Sequence, residues 1–266
     1  MDSAEPHVFR LSPDLAWRAH VGDDDIGSAR AVVRPDERCF LYFRGCRPDA
    51  YQPLVSAVAE ELGRDLYLTV DDADVEARNA YEHVGFVVNR HENHYLIPTD
   101  PDVTGLRRSE HAPGFDLVSA DDVDVGRLRV LDDALRQDVP GTDGWISDED
   151  WFREETFDSY YDSATYLIAV ERKTGTYAGL TRVWSNPEGP RLGMIGVLPV
   201  FRRRGLARAL LAQAFGVLHE RGADEVPTEI DDTNVASRSL LEPLGARRAG
   251  GSIELVRRHR SSQAAA

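Results

Sequence analysis

Apolar positions between residues 114 and 257 recur with two different periods. "GFDLVS" (114–119), "ATYLIAVER" (164–172), "TYAGLTRVW" (176–184) and "RLGMIGV" (191–197) are short apolar runs. The last three are separated by the turn-like "KTG" and "SNPEGP", so all four predict strands. "ADDVDVGRLRVLDDALRQ" (120–137) instead places Val123, Leu128, Leu131 and Leu135 at helical spacing. Its acidic first turn suits the positive end of a helix dipole. "VPGTDG" breaks that helix, and Ser147 is the expected N-cap of a second one over 148–157. Beyond 197 the pattern predicts a helix from Gly205 to about Arg221, a strand over 225–230, a helix over 234–244 and a last strand over 252–257. Gly222 and Gly245 are placed to end the two helices. One strand, two helices, three strands and then an alternation of helix and strand make an α/β fold, a mixed central sheet flanked by helices.

Part of this pattern occurs twice. "DDADVEARNAYEHVG" (71–85) and "DDTNVASRSLLEPLG" (231–245) match at six of fifteen positions with a constant offset of 160. A strand-like "LYLTV" precedes the first copy and "EVPTEI" the second, and Arg44-Gly45 falls on Arg204-Gly205 at the same offset. The chain reads as two copies of one α/β unit in tandem. The stretch 98–114 holds three prolines, two glycines and no apolar period, so a linker is expected there, between a unit over 1–97 and a unit over 115–260. The first copy is short at its front and lacks the two leading helices.

The 266 residues, 42% of them hydrophobic, suffice for two small cores. No apolar run is long enough to cross a bilayer, and "MDSAEPHVFR" lacks the core of a signal peptide, so a cytoplasmic protein is expected. Cys39 and Cys46, the only cysteines, give neither a disulfide framework nor a zinc site, and no metal is expected. A net charge of −15 disfavours nucleic acid and anionic membranes as partners. The same acidity suits a cationic, amine-bearing partner, or else records only an acidic residue usage.

Against that field, "GVLPVFRRRGLARALL" (196–211) gathers Arg202, Arg203, Arg204 and Arg208 at a strand-to-helix turn. A helix start carries unpaired backbone N–H groups and about half a positive charge. Gly205 and Ala207 keep the approach free of bulk, and guanidinium groups match phosphate oxygens. The turn therefore predicts a diphosphate cradle, with a basic solvated helix start as the plain alternative. Neither a triphosphate loop nor a dinucleotide fingerprint fits, because the Gly-Lys-Ser/Thr and Gly-x-Gly-x-x-Gly spacings are missing.

"RRRGLA" (202–207) resembles the Arg/Gln-x-x-Gly-x-Gly/Ala motif of the GCN5-related N-acetyltransferases, and the preceding "GVLPVF" is similar to that family's fourth strand and turn. "NVASRSLLEPLGA" (234–246) resembles a second family motif, with Asn234, Leu240 and Gly245 aligned, and the resemblance spans residues 115–258. It implies the acyl-CoA N-acyltransferase fold in tandem duplicate and acetyl-CoA as cosubstrate. By the same resemblance, backbone N–H groups of Arg203, Arg204, Gly205, Leu206, Ala207 and Arg208 hold the coenzyme diphosphate beside Arg202. The main chain at Val197 pairs with the pantetheine arm, the Ile195 N–H meets the thioester carbonyl, and Asn234 bonds the arm or caps its own helix. The implied activity is acetyl transfer to a primary amine, expected to be that of a small molecule. A non-catalytic coenzyme sensor or scaffold and a protein N-terminal or lysine acetyltransferase are the competing readings.

The pattern departs from the family where proton carriers are concerned. Leu241 stands where many members have tyrosine, and Arg191 where several have glutamate. Glu229 and Asp231 are the nearest carboxylates and the expected water-linked catalytic groups, while Tyr160, Tyr161 and Tyr166 read as packing residues and His219 as surface. In the first copy Tyr81 occupies the tyrosine position, but Tyr42, Arg47 and Asp74 replace Arg202, Ala207 and Asn234. Pro48 and Pro53 displace its helix start, so no coenzyme is expected there.

Overall fold

The computed structural model describes residues 6–11, 13–107 and 112–259. These fall into two units, one running to Glu92 and taking up the chain again from Gly251, the other from Asn93 to Gly250. The first contains β1 (His7–Leu11), β2 (Ala16–Val21), β3 (Asp24–Val33), β4 (Cys39–Arg44), α1 (Tyr51–Leu62), β5 (Leu66–Asp71), α2 (Val75–His83) and the start of β6 (Val87–Pro98). The second contains the rest of β6, α3 (Pro101–Thr104), β7 (Phe115–Ser119), α4 (Val125–Arg136), α5 (Glu149–Thr156) and β8 (Tyr166–Glu171). It continues with β9 (Tyr177–Asn186), β10 (Gly189–Val197), α6 (Leu206–Glu220), β11 (Glu225–Asp231), α7 (Val235–Leu241) and the start of β12 (Arg247–Arg257).

In the first unit β1 to β4 form an antiparallel meander, β4 pairs in parallel with β5, and Ser252–Arg257 of β12 run antiparallel to β5. Trp17, Ile26, Leu54, Leu66 and Phe86 are fully buried in one core cluster of this unit. The expected boundaries differ from these units in two places. The last strand completes the first unit, not the second, and the stretch 98–114 holds α3 together with Leu106 and Ala112, both buried in the second core. Period-two patterning locates a strand but carries no address for its partner. Residues 108–111 of that stretch lie outside the described residues.

In the second unit β7 to β10 form an antiparallel sheet in the order β10-β9-β8-β7, while β11 pairs with β6. One core cluster gathers α6 residues such as Leu210 and Phe215 against Leu167 and Val197, and the other gathers α4 residues Leu128, Leu131 and Leu135 against Ile168 and Leu180. The expected helix over 120–137 divides: a 3₁₀ turn covers Ala120–Asp122, and Asp124 restarts the chain as α4 by accepting from the Arg127 N–H at 2.8 Å. Asp148, not Ser147, caps α5, accepting from the Trp151 N–H at 2.8 Å. Ser147 is held instead by Asp133, whose Oδ1 accepts from both its N–H and its hydroxyl. Burial pushes the Asp133 carboxyl above its usual value.

The repeated segments share their turn chemistry. Asp71 accepts from the Ala73 N–H at 2.9 Å and Asp231 from the Thr233 N–H at 2.8 Å. Asp74 caps α2 through the Ala77 N–H at 2.9 Å, and Asn234 caps α7 through the Ser237 N–H at 3.0 Å. Gly85 and Gly245 close the two segments at positive φ, 94° and 84°.

Candidate active site

The end of β10 supplies one wall of the site, and its orientation follows from hydrogen-bond phase. The β10–β9 register slips between Leu192 and Met194, so Gly193 is an inserted residue. Past it, Ile195 lies opposite Thr181 and Val197 opposite Gly179. The Leu198 N–H donates to the Ala178 carbonyl at 2.8 Å. Antiparallel pairs alternate between bonded and non-bonded, so Val197 and Ile195 turn their N–H and C=O groups away from β9. Since β10 is the edge of its sheet, those groups border open space.

The opposite wall starts in the loop after β10. A 3₁₀ turn spans Pro199–Phe201, Arg202 is extended, and Arg203 and Gly205 have φ of 62° and 80°. Gly205 precedes α6, and no side chain caps that helix. A Cβ built on Gly205 meets nothing within 4 Å, so an anion can reach the helix end unobstructed. Ile195, Val197, Arg202, Arg203, Gly205, Leu206, Ala207, Arg208 and Asn234 all line one cleft of about 520 Å³, at whose border the exposed Arg204 is the one loop arginine outside the lining. Leu135, Asp138, Val139, Met194, Ser237 and Leu240 line it too; Leu135 and Leu240 read from sequence only as helix and motif positions, and the other four carry no sequence signal for the site.

The arginines divide by what they hold. Arg202 Nε donates to the Val197 carbonyl at 2.9 Å, and its terminal nitrogen pairs with the Asp138 carboxylate. Arg204 donates to the Val200 carbonyl at 3.2 Å and lies against the Phe201 ring. Arg208 donates to the Gly105 carbonyl at 3.3 Å. The Arg203 side chain is exposed and forms no hydrogen bond or ion pair with the described residues.

The two carboxylates expected near the chemistry are used elsewhere. Glu229 binds Arg191 through both oxygens, across β11 and β10. Asp231 is nearly buried and accepts from the N–H and hydroxyl of Thr233. Neither belongs to the cleft lining. Leu241 is buried in the core, and its neighbour Leu240 faces the cleft instead. Tyr161 donates to Asp121 at 2.6 Å, and burial with that carboxylate raises its phenol. Tyr166 is fully enclosed beside Arg182, and burial raises its phenol to about 12. Tyr160 is exposed, as is His219, whose ring meets the Thr99 hydroxyl at 3.4 Å.

Behind the cleft wall lies a buried charge network. Met194 stands opposite Arg182 of β9, whose Nη1 reaches Asp132 at 3.2 Å, while Arg136 Nε reaches the same carboxylate at 2.5 Å. Arg182 also packs on the Trp184 ring at 4.7 Å and Arg136 on Trp145 at 4.1 Å. Asp132 is thus satisfied from two elements and fixes α4 against β9. Among the described residues no group of three or more His, Cys, Asp or Glu could hold a metal ion, and no helix is long and apolar enough to cross a membrane.

Residues 131–246 match the acetyltransferase (GNAT) family. A mycothiol acetyltransferase from Salinispora arenicola is 31% identical over 155 residues, which is 56% of this chain and 47% of that protein. One from Salinispora tropica is 29% identical over 164 residues, with the same coverage. The chain spans about half the length of these curated relatives. Among solved structures, a GCN5-related N-acetyltransferase from Sphaerobacter thermophilus superposes with a TM-score of 0.68 at 17% identity, covering 95% of this chain and 83% of that one. A tandem GNAT protein from the clavulanic acid biosynthesis pathway gives 0.64 at 16% identity, covering 97% and 85%. These two show the fold. The outward-facing β10 edge and the start of α6 both lie within residues 131–246, the span over which this chain is similar to the acetyltransferase (GNAT) family.

Proposed function

We propose that the second unit is an N-acetyltransferase that moves the acetyl group of acetyl-CoA to a primary amine of a small molecule. The observation that carries this reading is the pairing, in one cleft, of an unpaired strand edge at Ile195 and Val197 with the uncapped start of α6. The α6 end suits the coenzyme diphosphate, with Arg203 free to meet its charge. The β10 edge suits the pantetheine arm, taken up like an added strand. Asn234 lines the cleft while its side-chain oxygen caps α7, so its amide nitrogen is what faces the arm. The curated relatives are named for a small-molecule acceptor, which favours that acceptor class over a protein.

In the reaction the amine lone pair attacks the thioester carbon, the carbonyl becomes an oxyanion, and collapse breaks the C–S bond. The Ile195 N–H is aimed where the oxyanion forms, a contact worth about 3 kcal/mol when preoriented. The amine loses one proton and the departing thiolate, near the cysteine value of about 8.5, takes one up. With Glu229 bound to Arg191 and Asp231 bound to Thr233, water carries these protons, and positioning supplies most of the rate.

The first unit is read as a cofactor-free copy. Its loop after β4 turns inward: Arg47 N–H donates to the Ile26 carbonyl at 2.9 Å, and Cys46 packs so close to Gly27 that a Cβ there would lie 2.6 Å away. Phe43, Tyr51 and Tyr81 pack on one another with centroids 5.1–5.7 Å apart, one pair stacked and two edge-on. Burial and the neighbouring Tyr51 raise the Tyr81 phenol, which suits packing and not acid catalysis.

Titration calorimetry should find one coenzyme A per chain, abolished by Gly205→Glu, and an amine panel with labelled acetyl-CoA should show transfer. Two sites per chain, or binding that survives Gly205→Glu, would overturn the assignment. Leu241 and Arg191, in place of the family's proton carriers, favour a sensor as the second reading. One-site binding without transfer to any amine would select it.

A further inference from the structure

We infer that Asp138 is a positioning residue for the pantetheine arm of the coenzyme, acting through Arg202 on the Val197 carbonyl. The inference rests on the coenzyme site proposed above. Arg202 reads from sequence as a phosphate ligand, yet its guanidinium is committed twice, by Nε to the Val197 carbonyl at 2.9 Å and by a terminal nitrogen to Asp138. Asp138 lies just past α4, where its N–H donates to the Leu135 carbonyl at 3.2 Å. Asp138, Arg202 and Val197 all border the cleft.

The Val197 carbonyl points outward from β9, in the direction from which an added strand would offer an N–H. Arg202 Nε already occupies that direction. The arm can therefore accept from the Val197 N–H but must find its next backbone partner at Ile195, two residues along the same edge. That sets the depth at which the thioester stops. Asp138 holds Arg202 in this position by a charge-assisted bond at a half-exposed site, with side-chain exposures of 46% and 50%. Without the carboxylate, Arg202 is free to leave the carbonyl and swing into the cleft it lines, across the path of the arm.

The test compares two ligands, coenzyme A and adenosine 3′-phosphate 5′-diphosphate, which shares the diphosphate and lacks the arm. Asp138→Ala in the full chain should weaken coenzyme A about tenfold and leave the nucleotide within twofold. Asp138→Asn, which keeps an acceptor, should recover most of the loss. Arg202→Lys, which keeps the charge but cannot bridge both partners, should behave as Asp138→Ala. Equal weakening of both ligands would mark a merely structural role and overturn the inference. So would unchanged coenzyme affinity, or tighter nucleotide binding, which would make Arg202 a phosphate ligand held in reserve. If the unaltered protein binds neither ligand, the proposed coenzyme site fails, and this inference with it.

Discussion

Arg203→Gly should make the protein more stable and a worse coenzyme binder. Arg203 and Glu37 are the only described non-glycine residues with positive φ. An L-residue in the left-handed region costs about 1–2 kcal/mol. Glycine removes that cost but adds freedom to the unfolded chain, worth about 0.4–1 kcal/mol in the opposite sense. The net expectation is a gain of about 0.5–1 kcal/mol. The side chain is exposed and forms no hydrogen bond or ion pair with the described residues, so its removal subtracts little. Arg203→Ala separates the two effects: it deletes the guanidinium and retains the strain, so stability should stay level. Both variants should bind coenzyme A about tenfold more weakly, the loss of one charge-assisted bond of roughly 1.5 kcal/mol. Urea unfolding can be followed by tryptophan emission, because Trp145, Trp151 and Trp184 lie in the same unit as Arg203 and only Trp17 in the other. Equal stability of the Gly and Ala variants would refute the strain argument. Unchanged coenzyme affinity in both would refute the assignment of Arg203 to the diphosphate.

Asp132→Ala should cost about 3–5 kcal/mol in urea unfolding, because it strands the buried Arg182 charge without its carboxylate. Gly196→Ala should cost about 1–3 kcal/mol, since its Cβ would lie 3.0–3.3 Å from Leu135, and adding Leu135→Ala should cost less than the two single losses together. Leu241→Ala should lower stability by about 2–5 kcal/mol yet keep kcat/KM of the folded enzyme within tenfold, as its side chain packs in the core away from the cleft. The buried Tyr166 phenol is raised to about 12 from an ordinary 10, so the folded state favours its neutral form. Its contribution is complete below pH 10 and is lost as pH rises toward 12; Tyr166→Phe should flatten the fall in stability across that window, measured by unfolding at each pH.

The cradle was legible because its determinants are local: a strand, a glycine, a small residue and a helix start within one short stretch. The β10 edge was legible only through family resemblance. Which backbone groups face outward depends on the inserted Gly193, and nothing in "RLGMIGV" announces a bulge. The contacts of Arg202 are illegible in sequence for a related reason. Charge predicts attraction to phosphate, but its committed partner, Asp138, comes from a loop sixty-four residues away. Asp231 shows a different ambiguity, because a carboxylate at a strand end serves turn and chemistry equally well. Its counterpart Asp71 makes the same turn bond, which identifies Asp231 as a residue the turn requires. Ser147 and Asp148 are both good caps, and only the demand of Asp133 for a partner decides between them.

The same comparison separates what the repeated unit needs in order to fold from what it needs in order to bind. Both copies keep the Asp turn, the side-chain cap and the closing glycine, so these belong to the architecture. They differ between the strand and the following helix: Leu198–Gly205 give eight residues from β10 to α6, and Gly45–Ala50 give six from β4 to α1. The shorter loop has Pro48 in a 3₁₀ turn, and α1 begins after Ala50 in ordinary right-handed geometry. The longer loop holds Arg203 in a left-handed conformation, whereas neither α6 nor α1 has a side-chain cap. A strained residue in that loop is a cost that folding alone does not require. In the first unit Phe43, Tyr51 and Tyr81 pack together beside its core and gain burial and aromatic contact. The strain therefore sits in the loop that borders the cleft, where we propose that the coenzyme diphosphate binds.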